Sequence, residues 1–354
     1  MNSFYTNVQV YGSRILYRGV ENGRKVKHKI DYYPTLYVPS SKPTKFTTVT
    51  GEYMSEMKPG NIRDCRDFVK QYDSVENFKI YGNQRYEYAF IGDQHIGEVE
   101  WDREHINICN IDIEVGSENG FPDPILANEA IISITYKMNN KFIVFGCEDF
   151  LNKRPDVHYV KCYNELDLIK RFIDEFTGNY PDIITGWYVK FFDVPYLINR
   201  ITKLMGQDFA KRLSPWNILN ERMINIMGKD QQVWLPLGIA LLDYLDLYQK
   251  FAPEGKSKET YKLGFICNEE LNETKLSYEE YGNLHTLYKD NYQLFIEYNI
   301  RDVELVDKLD DKLKLLDLAL TLAYDSKTNY EDVFAQTRMW DSLTYSYLYE
   351  KGII

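Results

Sequence analysis

The sequence has few cysteines and no closely spaced pair of them. Its five cysteines lie far apart in the chain, at Cys65, Cys109, Cys147, Cys162 and Cys267. This spacing argues against a zinc site and against a disulfide framework, and it is typical of a reducing compartment. The chain also lacks any apolar run of about 18 residues and any apolar stretch at its N-terminus, so we expect neither a membrane span nor a secretory signal.

The sequence also lacks an excess of positive charge. Its 354 residues include 42 Lys and Arg against 53 Asp and Glu, a net charge of −11, which argues against a strongly basic nucleic-acid coat protein. Residues 1–100 carry 14 basic and 12 acidic side chains, a net +2, which leaves 28 − 41 = −13 for residues 101–354. The length and this uneven charge predict two domains with different roles. At 44% hydrophobic and 27% charged residues, the chain is not a disordered, collagenous or coiled-coil protein.

The first hundred residues have the pattern of a small β-rich domain. Residues 4–38 form short alternating runs with a hairpin turn at Glu21–Gly23, residues 62–71 have a helical pattern, and Tyr81–Ile91 resembles a further strand. The basic residues of Arg24–Lys29 alternate, so one set of them lies on one strand face. We interpret this strip either as a solvated edge strand protected by lysines or as a phosphate contact.

From about residue 105 the pattern changes to strands that alternate with helices. The predicted strands are Ile106–Val115, Ala130–Tyr136, Phe142–Phe145, Ile183–Trp187 and Leu241–Leu247. The predicted helices are Asn164–Phe176 with Asn164 as its N-cap, Pro195–Met205, and the long stretch Tyr292–Leu322. This alternation predicts an α/β domain built on a mixed sheet.

Two carboxylates lie two residues apart on an otherwise apolar strand. Because side chains alternate along a strand, Asp112 and Glu114 lie on one face, while Ile111, Ile113 and Val115 lie on the other. Two adjacent carboxylates repel each other, and a divalent metal ion is the usual partner that relieves this repulsion. The alternative interpretation is a solvated strand end.

Two further segments carry candidate site residues. Asp193 follows Gly186-Trp187 and precedes a helix led by Pro195, where an Asp is an N-cap more often than a ligand. Tyr298 and Asp302 lie four residues apart, on one face of the long helical stretch, where a phenol could hold a water beside a bound metal. The alternative for this pair is an ordinary Tyr–Asp contact on a helix surface.

Taken in this order, the three segments resemble the three motifs of the DEDD superfamily of 3′→5′ exonucleases, in the form whose last motif carries a Tyr. Longer strings resemble the family B DNA polymerases of the T-even bacteriophage type, and the resemblance covers essentially the whole chain. The strings are Asp112–Val115, Gly120–Pro124, Phe192–Tyr196, Asn199–Ile201, Lys211–Pro215, Leu242–Tyr248, Tyr298–Asp302 and Thr337–Asp341.

The resemblance implies a fold and a division into domains. It implies an α/β, ribonuclease H-like exonuclease domain at residues 106–314, with a mixed central sheet flanked by helices. It also implies a smaller, β-rich α+β N-terminal domain at residues 1–105, onto which residues from about 315 to 354 pack back. The motifs of the polymerase palm are missing from this sequence, so we expect the palm, fingers and thumb to be absent and the chain as given not to polymerise.

The resemblance also implies a mechanism. Asp112, Glu114 and Asp302 would hold one Mg²⁺ or Mn²⁺ ion that activates a water, and Asp112 would bridge to a second ion supported by Asp193. Tyr298 would orient the attacking water, and the product would be a 5′-mononucleotide. Such paired ions clamp both oxygens of an in-line displacement. Hard carboxylate oxygens suit Mg²⁺ or Mn²⁺ better than Zn²⁺.

The resemblance further implies contacts and partners. The expected DNA-binding residues are Phe121, Tyr188, Phe192 and Lys229, the last of them in a hairpin, Ile224–Gly238, that helps to separate the primer strand. The expected partners are single-stranded or primer–template DNA, a polymerase-domain half on the same or a separate chain, and a phage sliding clamp. The expected location is the cytoplasm of an infected host cell, with no membrane association.

One departure from the family pattern leaves alternatives open. Tyr188 stands where the family usually has Asn after Gly186-Trp187, so the handling of the primer end is expected to differ. Beside a proofreading 3′→5′ DNA exonuclease, the alternatives are a nucleic-acid-binding part of a split polymerase with little catalysis of its own, and a free-standing RNA exonuclease.

Overall fold

The structure is a computed structural model that describes residues 3–76, 78–118, 120–226, 228–253, 255 and 257–354. The chain divides into two compact units, one formed by Met1–His105 with Asp317–Ile354 and the other by Ile106–Leu316. No helix in the described ranges combines the length and the apolar composition that a membrane span requires.

The first unit is built on two three-stranded antiparallel sheets, ordered β1-β2-β3 and β4-β6-β5. Its elements up to residue 105 are β1 (Phe4–Tyr11), β2 (Arg14–Glu21), β3 (Arg24–Asp31), β4 (Leu36–Pro39), β5 (Phe46–Thr47), β6 (Tyr53–Met57), α1 (Ile62–Tyr72), α2 (Tyr86–Gln94) and a 3₁₀ turn (Arg103–His105). The turn predicted after Glu21 is confirmed, since Asn22 and Gly23 join β2 to β3 with φ angles of 51° and 74°. Strand β3, which carries the basic strip, lies at the edge of its sheet.

The prediction of a strand at Tyr81–Ile91 is wrong. Tyr81 makes an isolated bridge to Tyr37, and helix α2 begins at Tyr86. The alternating aromatic residues of this segment mimic a strand, but Tyr86 and Phe90 lie one helical turn apart and both are buried. Tertiary packing of these rings therefore outweighs their local β-propensity.

The second unit is built on a six-stranded sheet in the order β10-β9-β8-β7-β11-β14. The pairs β10–β9, β7–β11 and β11–β14 are parallel, and β9–β8 and β8–β7 are antiparallel. Its strands are β7 (Ile108–Val115), β8 (Ile131–Met138), β9 (Lys141–Gly146), β10 (Val157–Lys161), β11 (Ile183–Thr185), β14 (Ala240–Leu241) and the separate hairpin of β12 (Leu219–Ile226) and β13 (Lys229–Pro236). Its helices are α3 (Glu165–Gly178), α4 (Asp193–Met205), α5 (Gln207–Ala210), α6 (Tyr244–Phe251), α7 (Leu263–Leu271), α8 (Leu284–Asp290) and α9 (Tyr292–Leu313), with 3₁₀ turns at Lys211–Leu213 and Glu279–Tyr281.

Two more helices follow α9. They are α10 (Leu315–Ser326) and α11 (Gln336–Glu350), and a 3₁₀ turn (Tyr330–Phe334) lies between them. The predicted helical stretch Tyr292–Leu322 is thus two helices, because Lys314 ends α9 in the left-handed conformation with φ 54°. The helix predicted from Asn164 is confirmed, and the Asn164 side chain accepts a hydrogen bond from the Asp167 N–H at 3.0 Å.

The central sheet has an apolar layer on each face. On one face Cys109, Ile111 and Ile113 of β7 pack in a core with residues of α3 and α4. On the other face Ile300 and Val303 of α9 pack with residues of β9, β10 and α8. The mixed α/β class predicted from the sequence, with flanking helices and a separate β-rich part, is confirmed.

The prediction of a strand at Leu241–Leu247 is wrong beyond its first residue. Strand β14 ends at Leu241, and Asp243 begins helix α6 by accepting a hydrogen bond from the Leu245 N–H. An Asp at this position is a strong helix N-cap, and the apolar residues on either side of it conceal that signal.

Candidate active site

Strand β7 presents its polar side chains to α9. Ile111 and Ile113 point into the core shared with α3 and α4, so Asp112 and Glu114 lie on the opposite face, as the alternation predicts. Both carboxylates are partly exposed. Asn110 lies on the same face and donates a hydrogen bond to the Val303 carbonyl of α9 at 2.8 Å.

Asp302 of α9 completes a cluster of three carboxylates. One carboxylate oxygen from each of Asp112, Glu114 and Asp302 lies within 4.8 Å of the other two. Asp302 is only 4% exposed, and its Oδ1 has no hydrogen-bond partner among the described residues. A buried carboxylate oxygen without a partner is costly, and a cation is the partner that would satisfy it.

Asp193 lies beside this cluster. It is the first residue of α4 and is 4% exposed, and its Oδ1 accepts a hydrogen bond at 2.9 Å from the N–H of Ile113, the residue between the two β7 carboxylates. The N-cap interpretation is therefore wrong, since the cap position is Phe192 and the Asp193 carboxylate binds the β7 backbone. The long-range contact with β7 decides this, and no local pattern reports it.

The carboxylates share one electrostatic environment. Burial and the nearby charge of Asp302 raise the pKa of Glu114 to about 8. Burial also raises the pKa of Asp193 to about 7, although the hydrogen bond from the Ile113 N–H acts to lower it. Burial and the charges of Asp193 and Glu114 raise the pKa of Asp112 well above its usual range. A cation placed among these groups would favour their charged forms.

One cation of the chain already lies in the cluster. Lys275, from the segment that follows α7, donates hydrogen bonds from Nζ to Asp302 Oδ2 at 2.5 Å and to Tyr298 Oη at 3.1 Å. Burial lowers the pKa of Lys275, but the negative charge of Asp302 outweighs this effect and the pKa lies above its usual value. Lys275 was not predicted, because 27 residues separate it from Asp302 and only the fold brings them together.

Asn299 is a second residue that the sequence did not predict. It is fully buried on the sheet side of α9, where its Nδ2 donates to Asp112 Oδ2 at 2.5 Å. Its Oδ1 accepts hydrogen bonds from Ser133 and Thr135 of β8 at 2.8 and 2.5 Å. The network fixes the amide and hence the position of the Asp112 carboxylate. Asn299 lies three residues before Asp302, and this helical spacing was the one sequence feature that could have identified it as part of the site.

Tyr298 lies at the edge of the carboxylate cluster. It is 4% exposed, its ring packs edge-on against Tyr278 at 5.3 Å, and its hydroxyl accepts a hydrogen bond from Lys275 Nζ at 3.1 Å. Burial and the charge of Asp302 raise its pKa above the usual value. The phenol is therefore neutral at physiological pH and can both donate and accept hydrogen bonds.

The predicted DNA-binding residues lie on loops and on the hairpin. Phe121 is 86% exposed, and its ring lies 5.4 Å from that of Phe192, which is partly buried at the start of α4. Tyr188 is 41% exposed in the loop before α4. Lys229 is exposed at the tip of the β12–β13 hairpin, and Met227 of the predicted tip lies outside the described residues.

The hairpin is attached to the helix that carries Asp193. Asn199 of α4 donates from Nδ2 to Gln232 Oε1 at 2.6 Å, and its Oδ1 accepts from Trp234 Nε1 at 3.2 Å. Both partners lie on β13. The predicted hairpin at Ile224–Gly238 is confirmed as an antiparallel pair, with β12 beginning earlier, at Leu219.

The donor set of the cluster fits a hard divalent cation. Three carboxylates converge on one region, one of their oxygens is buried without a partner, and no sulfur or imidazole ligand is among the three. Oxygen-only donor sets of this kind suit Mg²⁺ or Mn²⁺.

Comparisons with known proteins agree with this chemistry. A family model described as DNA polymerase family B, exonuclease domain, matches residues 60–266. The DNA-directed DNA polymerase of Escherichia phage RB69 is 30% identical over 382 residues, which cover 99% of this chain and 42% of that protein. The corresponding polymerase of Enterobacteria phage T4 is 28% identical over 379 residues, which cover 98% and 41%. The DNA polymerase of Bombyx mori nuclear polyhedrosis virus is 26% identical over 167 residues, which cover 46% and 16%. The chain spans less than half the length of these relatives.

Proposed function

The chain belongs to the family B DNA polymerases, through their exonuclease domain, and from this membership we propose that it removes nucleotides from the 3′ end of single-stranded or mismatched DNA by metal-dependent hydrolysis. The observation that carries the proposal is the convergence of Asp112, Glu114 and Asp302, with the Oδ1 of Asp302 buried and without a partner in the described chain. In the hydrolysis a water oxygen bonds to the last phosphorus and the bond from phosphorus to the 3′ oxygen breaks. The products are a 5′-mononucleotide and a shortened strand with a 3′ hydroxyl.

The three clustered carboxylates would hold Mg²⁺ or Mn²⁺, and Asp193 would support a second such ion. Bound divalent ions of this kind supply Lewis-acid charge at the phosphate and a lowered pKa for a bound water. Asn299 holds Asp112 in the orientation that the cluster needs, through the 2.5 Å hydrogen bond to Asp112 Oδ2. Outer hydrogen bonds of this kind orient metal ligands in other proteins.

Tyr298 and Lys275 would prepare the attacking water. The neutral Tyr298 hydroxyl lies beside Asp302 and can hold a water by one hydrogen bond. The Lys275 ammonium group supplies positive charge next to the same carboxylate, where it offsets repulsion among the acids and would offset the phosphate charge as well.

Exposed aromatic side chains would receive the DNA end. Phe121 and Phe192 form an aromatic pair, and Tyr188 is exposed on the loop that leads to Asp193. Stacking of bases on such rings tolerates any sequence and contributes about 1–3 kcal/mol per base. The hairpin that carries Lys229 would help to separate the primer strand from its template, and the basic edge strand β3 would contact phosphates.

The wider role follows from the relatives and is a proposal for this chain. We propose that it serves as the proofreading part of a phage replicative polymerase in the cytoplasm of an infected cell. There it would work with polymerase palm, fingers and thumb domains on the same or a separate chain, and with a sliding clamp. The two phage relatives are described as DNA-directed DNA polymerases, and each is more than twice as long as the segment that matches.

The experiment is a cleavage assay on 5′-labelled oligonucleotides, single-stranded, fully paired or mismatched at the 3′ end, with Mn²⁺ or EDTA. The wild type should shorten single-stranded and mismatched DNA from the 3′ end only when the metal is present. The double variant Asp112→Ala/Glu114→Ala should be slower by about 1,000-fold, because the loss of metal binding removes several kcal/mol of transition-state stabilisation. A matched control, Asp149→Ala/Asp208→Ala, removes two carboxylates that are 94% and 97% exposed and should cleave like the wild type.

The other outcomes separate the alternatives. Equal rates for the wild type and the Asp112→Ala/Glu114→Ala variant would show that the assignment is wrong. A gel shift with an unchanged 3′ end in Mn²⁺ would favour a nucleic-acid-binding part with little catalysis. Equal digestion of RNA and DNA would favour an RNA exonuclease.

A further inference from the structure

We propose that Asp243, a buried carboxylate outside the metal cluster, is a positioning residue for the exonuclease reaction. It would hold the segment Tyr188–Lys190 in the conformation that brings Asp193 to β7 and leaves the Tyr188 ring exposed. The inference rests on the proposed function and adds to it the residue that fixes one side of the site.

Asp243 binds two separate segments of backbone at once. Its side chain is buried, with 1% of the residue exposed, at the point where β14 ends and α6 begins. Its Oδ1 accepts hydrogen bonds from the N–H groups of Tyr188 at 3.1 Å and Leu245 at 3.0 Å, and its Oδ2 accepts one from the Lys190 N–H at 2.9 Å. The helix N-cap uses only the hydrogen bond from the Leu245 N–H, so the other two bonds, from Tyr188 and Lys190, hold the loop.

The loop held by Asp243 has a conformation that its sequence disfavours. Tyr188 has a φ of 69°, in the left-handed region that costs a residue with a Cβ about 1–2 kcal/mol. A hydrogen bond typically contributes about 0.5–1.5 kcal/mol, so the bond from the Tyr188 N–H to Asp243 can offset much of that cost. An ion pair between Lys190 and Asp246, at 2.7 Å, attaches the same loop to α6.

The held segment leads directly into the helix that begins with Asp193. The Phe192 N–H donates to the Tyr188 carbonyl at 3.2 Å, and the Val194 N–H donates to the Val189 carbonyl at 3.0 Å. Asp193 is therefore fixed from two sides, by this turn and by its own hydrogen bond to the Ile113 N–H. Release of the turn would let Asp193 shift, and displacements of about 1 Å at such groups can slow a reaction by about 100-fold.

Two substitutions separate the function of Asp243 in the loop from its function as a helix cap. Asp243→Ser keeps an N-cap hydroxyl for the Leu245 N–H but is too short to reach the loop. Asp243→Asn keeps the shape and one oxygen but turns an NH₂ group toward the Lys190 N–H, where two donors would meet. The control is Asn164→Ala, which removes the N-cap hydrogen bond from the Asp167 N–H in α3 and costs about 1 kcal/mol of stability.

The experiment measures kcat and KM for single-stranded DNA and the rise in Tm produced by Mn²⁺, at temperatures where circular dichroism shows each variant folded. Asp243→Ser should lower kcat by about 10-fold or more with KM within about 3-fold, and Asp243→Asn should lower it less. Both should have a smaller Mn²⁺-induced rise in Tm than the wild type, and Asn164→Ala should keep wild-type values of kcat and of that rise.

The inference would be overturned if both Asp243 variants kept the wild-type kcat and the wild-type Mn²⁺-induced rise in Tm. It would also be overturned if their losses of kcat and of that rise were no larger than those of Asn164→Ala. A failure of the proposed function would look different, because the wild type itself would then not cleave DNA. In that case the rise in Tm still decides whether Asp243 positions the metal site: a smaller rise in the Asp243 variants supports the inference, and an unchanged rise overturns it.

Discussion

Glu114→Gln should raise the stability of the metal-free protein and abolish its stabilisation by Mn²⁺. The glutamine keeps the size of the side chain and removes one charge from a cluster whose oxygens lie within 4.8 Å of one another. Two unit charges 4.8 Å apart repel by about 3 kcal/mol at an effective dielectric constant near 20, and Lys275 offsets part of this. At pH 9, above the pKa of about 8 for Glu114, we therefore expect a gain of about 1–3 kcal/mol in EDTA.

Thermal melting in EDTA and in excess Mn²⁺ measures both effects. A gain of 1 kcal/mol raises Tm by about 2–4 °C for a unit of this size. A ligand at 100 times its Kd stabilises the folded state by about 2.7 kcal/mol, so the wild type should gain about 5–10 °C in Mn²⁺ and Glu114→Gln should gain little. The control Glu175→Gln, on the exposed face of α3, should behave like the wild type. A variant less stable than the wild type in EDTA, or with the same response to Mn²⁺, would refute the reasoning.

Three further substitutions test neighbours of the cluster. Asn299→Leu should lower the free energy of unfolding by about 1–3 kcal/mol in chemical denaturation and slow DNA cleavage, because Ser133 and Thr135 lose their hydrogen-bond acceptor. A wild-type free energy of unfolding would contradict the role given to this hydrogen-bond network. Lys275→Met should lower Tm in EDTA and enlarge the rise in Tm produced by Mn²⁺, because it removes the cation that offsets the carboxylate charges. An unchanged Tm in EDTA would contradict this role of Lys275. Tyr188→Asn should raise the free energy of unfolding by about 0.5–1 kcal/mol, because Asn tolerates a positive φ, and should weaken single-stranded DNA binding several-fold in a fluorescence titration. Lower stability with unchanged affinity would contradict both expectations for Tyr188.

Local patterns predicted the parts of the fold that depend on local physics. The alternation of β7 predicted that Asp112 and Glu114 share a face, because side chains of a strand alternate whatever the strand packs against. The Asn164 cap and the turn at Asn22-Gly23 were predicted for the same reason, since both use hydrogen bonds or φ angles of neighbouring residues.

Long-range contacts account for what the sequence did not predict. Tyr81–Ile91 and Leu241–Leu247 were assigned to strands because their aromatic and apolar residues favour strands locally, whereas packing and the Asp243 cap make most of each segment helical. Asp193 was interpreted as an N-cap more readily than as a ligand, because its contact with Ile113 is 80 residues away in the chain. Lys275 reaches Asp302 across 27 residues, and no spacing rule connects them.

The most direct test of the exonuclease assignment is the mass of the nucleotide that the protein releases from single-stranded DNA in ¹⁸O-labelled water with Mn²⁺. Hydrolysis at the last phosphorus predicts a 5′-mononucleotide that carries one ¹⁸O in its phosphate. That product should be absent in EDTA and greatly reduced with Asp112→Ala/Glu114→Ala. Intact DNA in Mn²⁺, release of the same nucleotide in EDTA, or a product with ¹⁸O outside the phosphate would contradict the assignment.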